Sequence, residues 1–180
     1  MRVHKVGNNA NNPITVSLNL SKLESIQRQL GRRIVAEVGI MGDKNARQET
    51  TTNKKGKHVT GKLPSSKTNA EIGLVHEKGS FSSNIPRRSF LEMPLKQKLP
   101  QVMRTVGNKL LEGISATNIL VAYQKLGIIA EGIVLGAFNS SGYGQWEPNR
   151  PSTIARKGSS RPLIDTAQLR KSISSRVATK

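Results

Sequence analysis

The chain contains no cysteine. That excludes disulfides, zinc–thiolate centres and cysteine nucleophiles, although it leaves the compartment open. Carboxylates are scarce, with 11 Asp and Glu among 180 residues. They are scattered without a close pair suited to acid–base work, and no Gly-x-Ser-x-Gly elbow is present, so no enzyme is expected. Aromatics are also few: Phe81, Phe90, Tyr123, Phe138, Tyr143 and Trp146. None lies in the most basic loop. Readers of single-stranded nucleic acid interleave aromatics with basic residues for base stacking, so base-specific recognition is not expected. No long hydrophobic run is free of charge. The most apolar stretch, 114–138, holds Lys125 and Glu131 near its middle, which disfavours a membrane span. Polar residues follow Met1-Arg2-Val3-His4-Lys5, so no secretory signal is expected. The expectation is a soluble protein with no cofactor and no metal.

What the chain has in excess is positive charge. Lys and Arg number 29, so the net is 29 − 11 = +18, with a pI near 10.9. Such a field favours an anionic partner: nucleic acid, an acidic protein surface or anionic lipid. The length suits a single domain over 1–180 with a real core. The hydrophobic share of 35 % is low for that length, so part of the chain is expected to stay loosely packed.

Periodicity outlines the elements. Ile14, Val16 and Leu18 alternate with polar residues as in a half-buried strand. Ser21 and Glu24 have capping-box spacing before Leu23, Ile26 and Leu30, and Gly31 is placed to end that helix. Residues 34–41 form a second strand candidate, with Gly42 as breaker. Segment 43–67 differs in character. It has seven basic and two acidic residues, and Val59 and Leu63 are its large apolar residues. It reads as a long mobile loop, or a hairpin arm, disordered in the free subunit and ordered on assembly.

Three capping signals follow. Thr68 and Glu71 open a short helix with Ile72, Val75 and His76 on one face, closed by Gly79. After a loop over 80–89, Ser89 and Glu92 repeat the spacing before a stripe of Leu91, Leu95, Leu99, Met103, Val106 and Leu110. Pro94 is tolerable near its start, whereas Pro100 should kink or split it. Ser115 can cap a helix burying Ile119, Leu120, Tyr123, Leu126, Ile129, Ile133 and Val134. Gly132 and Gly136 in that helix suggest close packing of helices. Residues 139–144 form a turn. The segment 150–180 is basic, with eight Lys and Arg and one acid. There Asp165 or Thr166 can cap a short turn through Leu169, and 172–178 can return as a strand. The fold class is α+β: a small, mostly antiparallel sheet packed with several helices, plus the basic arm.

Two motifs come close and fail. Residues 56–62 nearly match a phosphate-binding loop, but Leu63 stands where Ser or Thr must hold magnesium. No strand is expected before it, and Pro64 prevents a clean helix after it. His76-Glu77 begins like a zinc-protease helix, but Ser80 replaces the second His. His76 therefore reads as a packed or hydrogen-bonded histidine, and Glu71 and Glu77 as helix caps or surface charges.

Two blocks carry a resemblance. The first is Ile72-Gly73-Leu74-Val75-His76-Glu77-Lys78-Gly79, followed by Ile85-Pro86-Arg87-Arg88-Ser89-Phe90-Leu91. The second is Trp146-Glu147-Pro148, then Thr153 and Lys157, then Pro162-Leu163-Ile164-Asp165-Thr166, then Leu169-Arg170-Lys171-Ser172-Ile173. In order and spacing they resemble the phage virion-morphogenesis family of neck and tail-completion proteins, Mu gpG-like and HK97 gp10-like. The blocks cover about a quarter of the chain. The family usually has Gly where this chain has Ala167. The resemblance implies a small α+β structural virion protein, assembled in the host cytoplasm. It would join a typically six-fold homo-oligomeric ring at the head–tail junction and dock tail to head without catalysis.

The implied partners are the adjacent head-closure or adaptor proteins and the tail-terminator or tail-tube proteins, with sequence-independent contact to packaged DNA as a further option and no membrane. A tail-terminator role is the alternative, and a sequence-nonspecific nucleic-acid-binding protein a more distant one. Phe90, Leu91 and Trp146 are expected as anchors, of the core first and of a subunit contact second. Pro162, Leu163 and Ile164 are expected as a rigid extended approach to the cap at Asp165 or Thr166, and Pro162 to Asp165 as further core or interface anchors, packed as a loop or reaching a neighbour. Lys54, Lys55, Lys57, Lys62, Arg156, Lys157, Arg161, Arg170 and Lys171 are candidate contacts to phosphates or to an acidic partner.

Overall fold

In a computed structural model the described residues are 34–112 and 118–179, together with Arg28 and Gly31. The strand expected over 14–18, the helix over 21–31 and the Ser115 cap lie outside them. Strand β1 (Ile34–Ile40) pairs antiparallel with the last strand, β4 (Ile173–Thr179), from Ile34 opposite Thr179 to Ile40 opposite Ile173. Between them run helices α1 (Asn69–Lys78), α2 (Glu92–Leu111), α3 (Ile119–Asn139), α4 (Pro151–Lys157) and α5 (Gln168–Lys171). A second antiparallel pair, β2 (Gln48–Thr52) and β3 (His58–Pro64), makes a hairpin. The protein is α+β, with two small antiparallel sheets and five helices among the described residues.

The 43–67 segment thus takes the hairpin form and not that of a loop. Its strands are rich in Thr, and the chain reverses at Gly56, whose φ of 72° suits glycine. The near-match to a phosphate loop is this turn and β3. A strand does precede it, contrary to expectation, and a strand instead of a helix follows.

Helix α3 forms the spine, packing on β4, β1 and α2. It is long and apolar enough to cross a membrane by length and composition. Here its buried side belongs to the core: Val134, Ala137 and Phe138 join Phe90, Trp146, Leu169 and Ile173. Phe138 lies between Phe90, at 5.2 Å centroid distance, and Trp146, at 5.9 Å in an edge-on arrangement. Glu131, one of the two charges in this helix, accepts a hydrogen bond from the Ser175 hydroxyl of β4.

Several local expectations need correction. Leu120 is 45 % exposed while Ile119 is buried, so the buried face of α3 passes through 119 and not 120. Gly132 and Gly136 do not seat a helix. A Cβ at 132 would meet open space, and Gly136 makes room for the Tyr143 hydroxyl, which donates to the Ile133 carbonyl. Helix α2 is not split at Pro100 but continues through it. Helix α1 has its full Thr68/Glu71 capping box, yet it buries Asn69, Gly73 and Glu77 while Val75 stays exposed. A Cβ at Gly73 would lie 2.9 Å from Ile40 Cδ1 and 3.3 Å from Phe90, so a larger residue requires the Ile40 tip to shift.

Candidate functional site

The two sequence blocks meet in space. Arg88, just before α2, is buried. Its Nε donates to the Glu147 carbonyl at 2.8 Å and its Nη2 to the Pro148 carbonyl at 3.0 Å. Trp146 Nε1 donates to the Ser89 carbonyl at 3.0 Å. Asn149, also buried, donates to the Ser160 carbonyl and so ties the start of α4 to the turn that follows it. These contacts close a wall between α1, α4 and the turn before α5.

That wall encloses a cleft of about 210 Å³. Arg47, His76, Arg88, Arg156, Lys157 and Asp165 line it. A second cleft of about 430 Å³ shares His76, Arg88, Asn149, Thr153 and Arg156 with the first and extends to Asn84, Pro86, Glu147 and Arg150. Positive charge dominates both. Asp165 is the one carboxylate of the first cleft and Glu147 that of the second.

The electrostatics follow from this crowding. His76 is half-buried, and its Nδ1 has no hydrogen-bond partner among the described residues. Burial pushes its pKa down to about 4, helped by Arg88, Lys157 and Arg47. Burial likewise lowers the pKa of Lys157, opposed by Asp165 and reinforced by Arg88 and Arg156. Arg47 and Arg88 are lowered by burial too, against Asp165 and Glu147 respectively. None of Arg47, Arg88, Arg156 and Lys157 makes a salt bridge among the described residues. Arg47 donates to Asn69 Oδ1 at 3.0 Å and Lys157 to the Arg161 carbonyl at 2.8 Å. Asp165 is committed elsewhere, to His58 Nδ1 of β3 at 2.9 Å.

That hydrogen bond also anchors the hairpin. Beside it the Gln168 amide pairs with the edge of β2, accepting from Gln48 N–H at 2.8 Å and donating to its carbonyl at 3.1 Å. Asp165 and Thr166 therefore cap nothing. The residue before α5 is Ala167, in the left-handed region with φ 61° and no side-chain cap. A non-glycine residue there costs on the order of 1 kcal/mol. Nor is 162–164 an extended approach. Leu163 has φ 56°, and Pro162 is buried in a turn.

The expected residues thus divide. Phe90 and Trp146 are core, and Leu91, Leu163 and Ile164 are half-buried against it. Arg156 and Lys157 reach the cleft. Lys54, Lys55 and Lys62 stand exposed on the hairpin, and Lys57 lays its stem beside Gly158. Arg161 and Lys171 are exposed and Arg170 half-buried, and none of the three lines the clefts. Sequence reading missed Arg47, Arg88, Asn149 and Arg150 as cleft residues. The Arg87-Arg88 pair inside the first block was the one available signal. Among the described residues no group of three His, Asp or Glu is placed to hold a metal ion.

No protein-family model, curated protein or solved structure matches this chain. The functional reading therefore rests on the residues and their geometry.

Proposed function

We propose that this chain is a structural virion protein of a tailed phage, a ring-forming neck or tail-completion protein that docks tail to head. The observation that supports it most is the mutual packing of the two blocks. Trp146 and Arg88 bond across some sixty positions of sequence, through Ser89, Glu147 and Pro148. Segments that resemble the family separately are thus one structural unit in this fold. The role is assembly, not catalysis.

A closed ring needs head-to-tail contacts, so each subunit must offer two different surfaces. The exposed hairpin is one candidate. The turn over 80–84, where Phe81 is fully exposed, is another. The test is imaging of phage lysates from which this gene is deleted. Filled heads beside separate tails of normal length are the expected result. Overlong tails would assign tail termination instead, and complete infectious particles would defeat both. The net charge of +18 favours one rival of another class, a sequence-blind nucleic-acid-binding protein. It requires the isolated protein to bind duplex DNA at physiological salt with a steep salt dependence, which docking does not.

A further inference from the structure

We propose that the paired clefts between α1, α4 and the turn before α5 form a receptor for an acidic peptide segment of a partner protein. The pocket chemistry stands on its own, while the choice of a protein occupant rests on the docking reading above.

Charge is the first argument. Arg47, Arg88, Arg150, Arg156 and Lys157 surround the two clefts, against Asp165 and Glu147. Asp165 already serves His58. Arg88 is 7 % exposed, with its guanidinium bonded to two backbone carbonyls and to no carboxylate among the described residues. Glu147 offsets this charge from nearby without pairing with it, and an incoming carboxylate gains a charge-assisted hydrogen bond in a partly desolvated site.

Pre-organisation is the second argument. The Arg88 side chain is fixed by Glu147 and Pro148, Arg47 by Asn69, Lys157 by the Arg161 carbonyl and Arg150 by Asn84. Their ordering entropy is spent in the folded chain and not on binding.

Shape chooses the occupant. Two recesses share one wall, so the site is a short groove and not a point for a single ion. A duplex presents its phosphates on a broad stiff cylinder and suits an open basic face, whereas a flexible chain can place successive carboxylates in adjoining recesses. A second copy of this chain does not suit the groove, because its 11 carboxylates are scattered with no adjoining pair to fill both recesses.

The test uses the full-length protein and fluorescein-labelled hexaglutamate, followed by anisotropy at about 0.15 M salt. Two charge reversals are compared at equal net charge. Arg156→Glu with Lys157→Glu changes the cleft. Arg104→Glu with Lys109→Glu changes exposed positions of α2. The cleft pair is expected to weaken binding by at least about tenfold and the α2 pair by no more than about twofold. If the reversed cleft unfolds, Arg156→Ala with Lys157→Ala against Arg104→Ala with Lys109→Ala reads the same comparison. Equal weakening by both pairs would overturn the proposal, because the long-range field alone would then explain binding. Duplex DNA that displaces the peptide more effectively than unlabelled hexaglutamate would overturn the choice of occupant. Failure here leaves the imaging test of the docking reading untouched, and failure there leaves this binding result standing.

Discussion

His76 sits where a proton is least welcome. Burial and the cations Arg88, Lys157 and Arg47 hold its pKa at about 4, against about 6.5 in an unfolded chain. Asp165 is the one carboxylate among the residues lining the same cleft. Between these values the unfolded chain takes up a proton that the folded chain refuses. The contribution of this ring is therefore fully present above about pH 6.5 and is lost as the pH falls towards 4, by about 2–3 kcal/mol. Glu92, held at about 2 by hydrogen bonds from Lys96 and Lys78 and by their charge, contributes stability that begins to fall only near its unfolded value of 4.5, and it does so in both the native chain and a His76 variant. Urea denaturation at pH 7, 5.5 and 4 should show a steep decline for the native chain and a shallower one for His76→Gln. Parallel declines would refute the assignment. The sequence reads His76 as packed or hydrogen-bonded; the ring is half-buried and its Nδ1 has no hydrogen-bond partner among the described residues. Its surroundings were illegible, because Arg47, Arg88 and Lys157 lie in three segments joined only by folding.

Helix α2 shows the same division one level up. Spacing had suggested that Ser89 and Glu92 cap it reciprocally. Ser89 Oγ does accept from Met93 N–H, at 2.9 Å. Glu92 instead turns outward to Lys78, Arg87 and Lys96. Its place is taken by Glu77, buried at the end of α1. One Glu77 carboxylate oxygen accepts from Phe90 N–H at 2.8 Å and Leu91 N–H at 3.0 Å. The other accepts from Glu92 N–H at 3.0 Å and from the Ser89 hydroxyl. Three otherwise orphaned amides and the positive end of the helix dipole meet one negative charge. A box spanning four residues, such as Thr68 to Glu71, can be read from a string. A cap delivered across thirteen to fifteen residues cannot. Glu77→Gln keeps the shape but removes the charge and turns one acceptor into a donor facing N–H groups. It is expected to cost about 2–3 kcal/mol, with a lower thermal midpoint and unchanged helical signal in native buffer. A loss below about 0.5 kcal/mol would show that these amides find other partners.

At the scale of the whole molecule, the hairpin is the part least tied to the rest. The Gln48–Gln168 amide and the Ser65–Arg47 backbone bond hold its base, the His58–Asp165 hydrogen bond holds the turn end of β3, and its strands are almost wholly exposed. Its composition had pointed to a loop or an arm because no apolar alternation marks β2. The strands come from Thr-rich backbone pairing instead, which hydrophobic periodicity does not register. Little apolar surface opposes its opening, so it belongs to the low-stability end of the fold. Trypsin should therefore cut the free subunit first at Lys54, Lys55, Lys57 or Lys62, while the α1–α3 core survives. His58→Ala should hasten those cuts by removing the anchor at Asp165. In assembled particles the same bonds should be protected, because a neighbour on the hairpin supplies the burial that the subunit lacks. A hairpin as resistant as the core in the isolated protein would mean that it is a finished part of the domain. Ring contacts would then have to come from other surfaces, such as that around Phe81.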